Sequence, residues 1–119
     1  MPIAIDPKQL HDFTLARERG QEDAAVFQIH ALTASEDEVA SEAMKRSDAA
    51  FVNAVVRMGL GGWSRFKDEG GRDVPFDVDS NGKAKGSALN ALTRSDRGEL
   101  CIAITNLGSS AIKSAELER

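Results

Sequence analysis

Apolar side chains along this chain recur at helical spacing in two stretches and alternate with polar ones in a third. Phe51, Val55 and Met58 lie at positions i, i+4 and i+7, which predicts a helix with one apolar face. In residues 25–32, Val26 and Phe27 are followed by alternating Gln-Ile-His, which is typical of a strand. A longer stripe predicts an amphipathic C-terminal helix from about residue 95, and consists of Leu100, Ala103, Ile104, Leu107 and Ala111.

The N-terminal part of the chain predicts a β-hairpin. Residues 13–17 form a short apolar run, and the polar residues 20–23 separate it from the strand at 25–32. This spacing suits a hairpin near residues 13–32 with a moderately long loop. Residues 1–12 contain two prolines and are expected to form an extended arm.

A helix-start signal follows the hairpin. Thr33 and Glu36 have the spacing of a capping box, in which each side chain accepts a hydrogen bond from the backbone of the other residue. Val39, Ala43 and Met44 are expected on the buried side of the helix that follows. The next helix is capped by Ser47 or Asp48 and follows with almost no linker, so a central helix pair or one bent helix is predicted.

A cluster of glycines and aromatics comes after the second of these helices. Gly59, Gly61 and Gly62 are expected to end the helix, because glycine readily adopts the left-handed conformation found at helix C-termini. Trp63 and Phe66 follow at once, and a turn at 68–71 leads to a short extended return ending at residue 76. We interpret this aromatic corner as the anchor of the core.

The remaining residues are more polar until the C-terminal helix. Residues 77–87 are expected to be a flexible loop, with the Asn81-Gly82 turn closing a weak second hairpin. A short helix is predicted at 88–92, and Thr93 and Asp96 have the spacing of a cap on the final helix.

These elements predict one α+β domain over residues 1–119, with an N-terminal β-hairpin, a central helix pair and a C-terminal amphipathic helix. In its core, the C-terminal stripe residues Leu100, Ile104 and Leu107 are expected to pack against Phe51, Val55 and Trp63.

Charge and cysteine content narrow the function classes. Nineteen acidic and fifteen basic residues give a net charge of −4, which argues against general nucleic-acid binding. The acidic residues are concentrated between 18 and 48, where eight of them accompany three basic ones. Cys101 is the single cysteine, so no internal disulfide is expected, and no apolar run is long enough to span a membrane. With no signal-peptide pattern, a cytosolic protein is predicted.

Candidate chemistry is sparse. Asp77, Asp79, Asn81 and Gly82 match the first half of a calcium-binding EF-hand loop, but Ala88 stands where the closing glutamate is required. A solvated turn is therefore expected at this place.

The other potential ligands and nucleophiles give no stronger signal. Gly59, Gly61 and Gly62 follow a helix, whereas a phosphate-binding loop opens one. His11 and His30 have no partner at ligand spacing, and Cys101 lies beside the apolar stripe, which favours a buried thiol. No metal, no cofactor and no enzymatic activity are expected.

Four stretches together resemble the small tail assembly chaperones of long-tailed bacteriophages and their relatives. These are residues 25–36, AVFQIHALTASE; residues 51–66, FVNAVVRMGLGGWSRF; the Asp-Glu-Gly-Gly turn ending in Val-Pro-Phe; and residues 93–109. Asp96, Arg97, Glu99 and Leu100 match the Asp-Arg-x-Glu-Leu helix start of that group. The resemblance covers about half of the chain and does not extend to the first 24 residues or to 77–92.

The resemblance implies a non-enzymatic protein that binds the long, largely helical tape-measure protein in the host cytoplasm and is absent from the finished virion. A chaperone for a long helix is expected to self-associate or to coat its client in many copies. The expected partner-binding residues lie at the ends of elements and are Gly61, Gly62, Trp63, Ile112 and Leu117. For Trp63, packing in the core is the alternative role.

Two other functions remain open at this point. The chain is alternatively a small structural protein of the phage particle, in its neck, tail or baseplate. It is otherwise a regulatory protein that binds a host target, through the acidic helix at 35–42.

Overall fold

The computed structural model describes residues 9–76, 78, 84 and 86–117, with Ser87 and residues 108–117 described by their backbone alone. The chain has an α+β fold with the predicted order of an N-terminal hairpin, a helix pair and a C-terminal helix. The strands are β1 (His11–Phe13), β2 (Val26–Ile29) and β3 (Leu60–Ser64), and the helices are α1 (Ala34–Met44), α2 (Asp48–Gly59), α3 (Gly86–Asn90) and α4 (Arg94–Leu117).

The strands form one antiparallel sheet in the order β1-β2-β3. Phe13, Phe27 and Trp63 lie side by side across it, which places three aromatic rings in one row. The hairpin of β1 and β2 confirms the prediction. Strand β3 was not predicted, because two of its five residues are glycines, which are rare in strands.

The first strand lies earlier than the sequence indicated, at 11–13 instead of 13–17. His11 and Asp12, assigned to the extended arm, therefore belong to the sheet. After Phe13 the chain leaves the sheet, buries Leu15 completely and makes a 3-10 turn at Ala16–Glu18. This departure brings the chain to the beginning of α4.

The capping box of α1 is confirmed. The Glu36 backbone N–H donates to Thr33 Oγ1 at 3.2 Å, and the Thr33 backbone N–H donates to Glu36 Oε1 at 3.0 Å. Helix α2 is capped by Ser47, whose hydroxyl accepts from the Ala50 backbone N–H at 3.0 Å. Each helix of the pair therefore has its own N-terminal cap, and α1 and α2 are two helices instead of one bent helix.

The buried side of α1 differs from the prediction. Ala40 and Ala43 are buried, whereas Val39 and Met44 are 56% and 50% exposed. The alanines are three residues apart on the face that packs against α2, and their small side chains allow the two helices to approach closely. The larger apolar side chains of α1 are consequently left on the surface.

The glycines at 59–62 do not end α2 in the predicted way. Gly59 is the last residue of α2, and Leu60 continues in extended conformation directly into β3. Among the described glycines, positive φ angles occur at Gly20 and Gly71, not at this corner. Gly59 is instead required for space, because a Cβ atom there would lie 2.6 Å from Ile104 Cγ2.

The aromatic corner forms as predicted. The Trp63 ring makes edge-to-face contacts with Phe27, Phe66 and Phe76, with centroid distances of 6.1, 4.9 and 4.8 Å. Its indole Nε1 donates to the backbone carbonyl of Val74 at 2.8 Å. The tryptophan therefore has both an apolar environment and a hydrogen-bond acceptor, as a buried indole requires.

The turn at 68–71 is also confirmed. Asp68 Oδ1 accepts from the backbone N–H groups of Gly70 and Arg72, and Gly71 has a φ of 77°. Beyond this turn, Val78 and Ala84 form an antiparallel bridge. The rest of the predicted second hairpin beyond residue 76 and of the half EF-hand motif, residues 77, 79–83 and 85, lies outside the described residues.

The C-terminal part agrees with the prediction in its main features. Helix α3 begins at Gly86, two residues before the predicted start. The Asp96 backbone N–H donates to Thr93 Oγ1 at 3.1 Å, which confirms the cap on α4. The helical backbone of α4 continues through the Gly-Ser-Ser segment at 108–110 to Leu117.

Helices α2 and α4, together with the sheet, enclose the core. The six residues predicted to meet there belong to one hydrophobic cluster, with three of them buried and three partly buried: Val55, Leu100 and Ile104, then Phe51, Trp63 and Leu107. None of the described helices is long and apolar enough to cross a membrane.

Ile104 provides a test of this core. Replacing it with alanine removes a fully packed side chain and is expected to lower the free energy of unfolding by about 2–4 kcal/mol. The matched control is Ile102→Ala on the same helix, where the side chain is 62% exposed and the expected change is below about 0.5 kcal/mol. Urea denaturation of both variants measures the difference, and equal losses would contradict the described packing.

Candidate protein-binding surface

Of the three predicted contact residues Gly61, Gly62 and Trp63, which we call the glycine corner, Gly61 alone is exposed. Gly61 is exposed, and a Cβ there would lie 2.8 Å from Leu10 Cδ2. Gly62 is buried, and a Cβ there would lie 3.0 Å from Gln28 Oε1. Trp63 is partly buried in the aromatic cluster. The exposed part of the corner is therefore Gly61 and the half-exposed Leu10, on the edge strand β3 and before β1.

The other two predicted contact residues, Ile112 and Leu117, belong to the helical backbone of α4, and their side chains lie outside the described part of the chain. Helix α4 has 24 residues and is about 36 Å long, whereas α2, with 12 residues, is about 18 Å long. Helix α2 therefore cannot cover the whole of α4. The helical backbone extends about 15 Å beyond Leu107.

The first turns of α4 hold the N-terminal segment. Asp96 is 4% exposed, and its two carboxylate oxygens accept from the Arg17 guanidinium at 2.7 and 3.0 Å. One turn later, Glu99 Oε2 accepts from the Ala16 backbone N–H at 2.8 Å. These contacts join residues about 80 positions apart and fix the chain between β1 and β2 against α4.

Arg97 and Leu100 complete the segment that carries the resemblance. Arg97 Nη1 donates to the backbone carbonyls of Leu89 and Leu92, at 3.3 and 2.9 Å. These carbonyls lie at the C-terminal end of α3 and just after it, and the Leu89 carbonyl also accepts from the Leu92 backbone N–H. Leu100 is completely buried in the core. Each residue of the Asp-Arg-x-Glu-Leu segment therefore has a role in folding.

One groove lies along the outward side of α1. It has a volume of about 540 Å³, and Val39 contributes an exposed apolar side chain to it. Glu42 pairs with Lys45 at 3.0 Å at the C-terminal end of the groove. Its lining residues are Ser35, Glu38, Val39, Glu42, Ala43, Lys45 and Arg46.

The second groove lies between the first turns of α2 and α4 and has a volume of about 330 Å³. Its apolar part is Ala49 and Val52, and an added Cβ at Gly98 would meet no atom within 4 Å. The arginines in its lining come from α4, and the acidic residue comes from α2. The lining residues are Asp48, Ala49, Val52, Asn53, Arg94, Arg97 and Gly98.

Sequence reasoning missed both grooves. For the first, the signal was the pair Ala40 and Ala43, since small residues three apart indicate the packed side of α1 and leave Val39 outside. For the second, the signal was the i, i+3 spacing of Arg94 and Arg97. The arginine spacing does not identify the opposite wall of the second groove, which comes from α2 and depends on the tertiary structure.

Reactive groups are few in the described part of the chain. Burial raises the pKa of the Cys101 thiol, which keeps it protonated and unreactive near neutral pH. His30 Nδ1 lies 3.0 Å from the Ala31 carbonyl oxygen. Among the described residues, no group of three His, Cys, Asp or Glu side chains is arranged to hold a metal ion.

The Arg17–Asp96 contact has a measurable consequence. Arg17→Ala leaves a buried carboxylate without its bidentate partner, and is expected to lower the free energy of unfolding by about 1–3 kcal/mol. Arg72→Ala is the matched control, because its 3.7 Å pair with Asp68 is exposed and should contribute no more than about 0.5 kcal/mol. Equal effects of the two changes in urea denaturation would show that the first pair does not hold the N-terminal segment.

Comparison with known proteins found no matching family model, no matching curated protein and no matching solved structure.

Proposed function

We propose that this protein binds a helical segment of a partner protein along α4, and that the partner is the tape-measure protein of a long-tailed phage. In this proposal the chain acts as a tail assembly chaperone in the host cytoplasm and performs no chemistry. The partner's identity rests on the resemblance of the four sequence stretches, among them the Asp-Arg-x-Glu-Leu start of α4.

The observation that carries the proposal is the length of α4 relative to its packing partner. Helix α2 is half as long as α4, and Leu107, the last residue of α4 whose side chain is described, is partly buried against the core cluster. The helix backbone nevertheless continues for ten residues after Leu107. This continuation contains Ile112 and Leu117, and an amphipathic partner helix packs on such a segment through apolar side chains at helical spacing.

The dimensions also limit how much of a client one copy covers. A partner helix laid along the full length of α4 contacts it over about 36 Å, or about 24 of its own residues. A long helical client therefore requires many copies for complete coverage. Binding in many copies is a consequence of this proposal that distinguishes it from binding to a single short peptide.

The test is co-expression with the tape-measure protein encoded in the same genome. The wild-type chain is expected to keep that client soluble and to co-purify with it, while Ile112→Asp/Leu117→Asp abolishes both effects because aspartate disfavours an apolar contact. The control is Met44→Asp/Val78→Asp, which makes the same change at two exposed side chains outside α4. Circular dichroism verifies that both variants are folded.

Two results would contradict the proposal. If the wild-type chain neither solubilises nor co-purifies with the client, the chaperone function fails. Detection of the chain in purified, washed phage particles would replace it with the function of a structural component.

A further inference from the structure

We propose that copies of this chain associate with one another by docking the outward face of α1 on one copy into the α2–α4 groove of the next. We define the acidic face as Glu38, Val39 and Glu42 on α1. The arginine groove is the α2–α4 groove described above, named for Arg94 and Arg97. This contact depends on the chain's own two surfaces and does not require the tape-measure protein.

The apolar parts of the two surfaces are complementary. Val39 is exposed at the acidic face and is the apolar side chain that α1 offers outward there. The arginine groove has an apolar floor of Ala49 and Val52, with open space above Gly98. A cavity of about 330 Å³ is large enough for a valine side chain, so docking removes Val39 from water.

The charges of the two surfaces match in order as well as in sign. Along α1 the first charged residue of the groove is Glu38 and the last are Lys45 and Arg46. The arginine groove has Arg94 and Arg97 on the α4 side and Asp48 on the α2 side. When Glu38 faces Arg94, the basic end of α1 is directed toward Asp48, which sets the orientation of the contact.

The accessibility of the charged groups supports the same pairing. Glu38 and Arg94 are both exposed, so a contact between them requires no rearrangement of the fold. Arg97 is half-buried because its guanidinium holds the carbonyls of Leu89 and Leu92. In this contact Arg94 therefore forms the ion pair with Glu38. Arg97 stays in place and contributes positive charge to the wall of the groove.

The contact joins two different surfaces, so each copy binds one neighbour through its acidic face and another through its arginine groove. Such heterologous contacts continue from copy to copy unless the rotation between them closes a ring. Association through this contact joins many copies one after another in a row. It also makes the associated mass depend on protein concentration and on salt, which screens the exposed ion pairs.

Sedimentation velocity of the purified chain tests the proposal over a concentration series at low and high salt. The wild-type chain is expected to exceed the monomer mass, and to return toward it in high salt. Arg94→Glu and Glu38→Arg should each weaken association at least about tenfold, because each places like charges in contact. Mixing these two variants in equal amounts is expected to restore association, through the native contact and through the exchanged charge pair.

The control variants are Arg72→Glu and Glu69→Arg, which make the same charge changes on the exposed turn at 68–72. They are expected to associate like the wild type. A wild-type chain that stays monomeric, association that survives both variants, or a mixture that stays monomeric would overturn the proposal. If a charge-reversed variant does not fold, Arg94→Gln and Glu38→Gln replace the pair, with a smaller loss expected from each.

Discussion

The fold depends on the missing side chain at Gly59, where α2, α4 and the sheet meet. The position that a Cβ would occupy is filled by Ile104 of α4, so the two helices approach more closely than any larger residue at 59 permits. The Gly59 carbonyl also accepts from the His30 backbone N–H at 2.9 Å, at the end of β2. Because β3 begins at the next residue, this one point sets the position of α4 and of the sheet edge.

Side chains at the beginning of α4 bind two other parts of the chain, the segment after β1 and the end of α3. Arg17 and Ala16 bind the carboxylates of Asp96 and Glu99, while Arg97 holds the end of α3. A buried carboxylate is tolerated only with such partners, so the polar contacts make the docking of the N-terminal segment specific. Both candidate surfaces follow from the same arrangement. The arginine groove lies between the first turns of α2 and α4, and the second surface is the part of α4 that the shorter α2 cannot cover.

The sequence predicted a structural feature correctly where that feature depends on residues of a single element. The Thr33–Glu36 capping box, the stripe containing Ile104 and the Asp68 turn depend on residues a few positions apart, and all formed as predicted. Strand β3 and the exposed Val39 were mispredicted, because each depends on which distant element packs beside it. The same reason hid the α2–α4 groove, whose two walls come together only in the folded chain.

The central claim is that Gly59 and Ile104 share one space, and a double-mutant cycle in urea denaturation tests it directly. Gly59→Ala alone is expected to lower the free energy of unfolding by about 1–3 kcal/mol, since the added methyl group overpacks the contact. In the Ile104→Ala background the same change should be neutral or stabilising, which gives a coupling free energy of at least about 1 kcal/mol. An equal cost of Gly59→Ala in both backgrounds would contradict the claim.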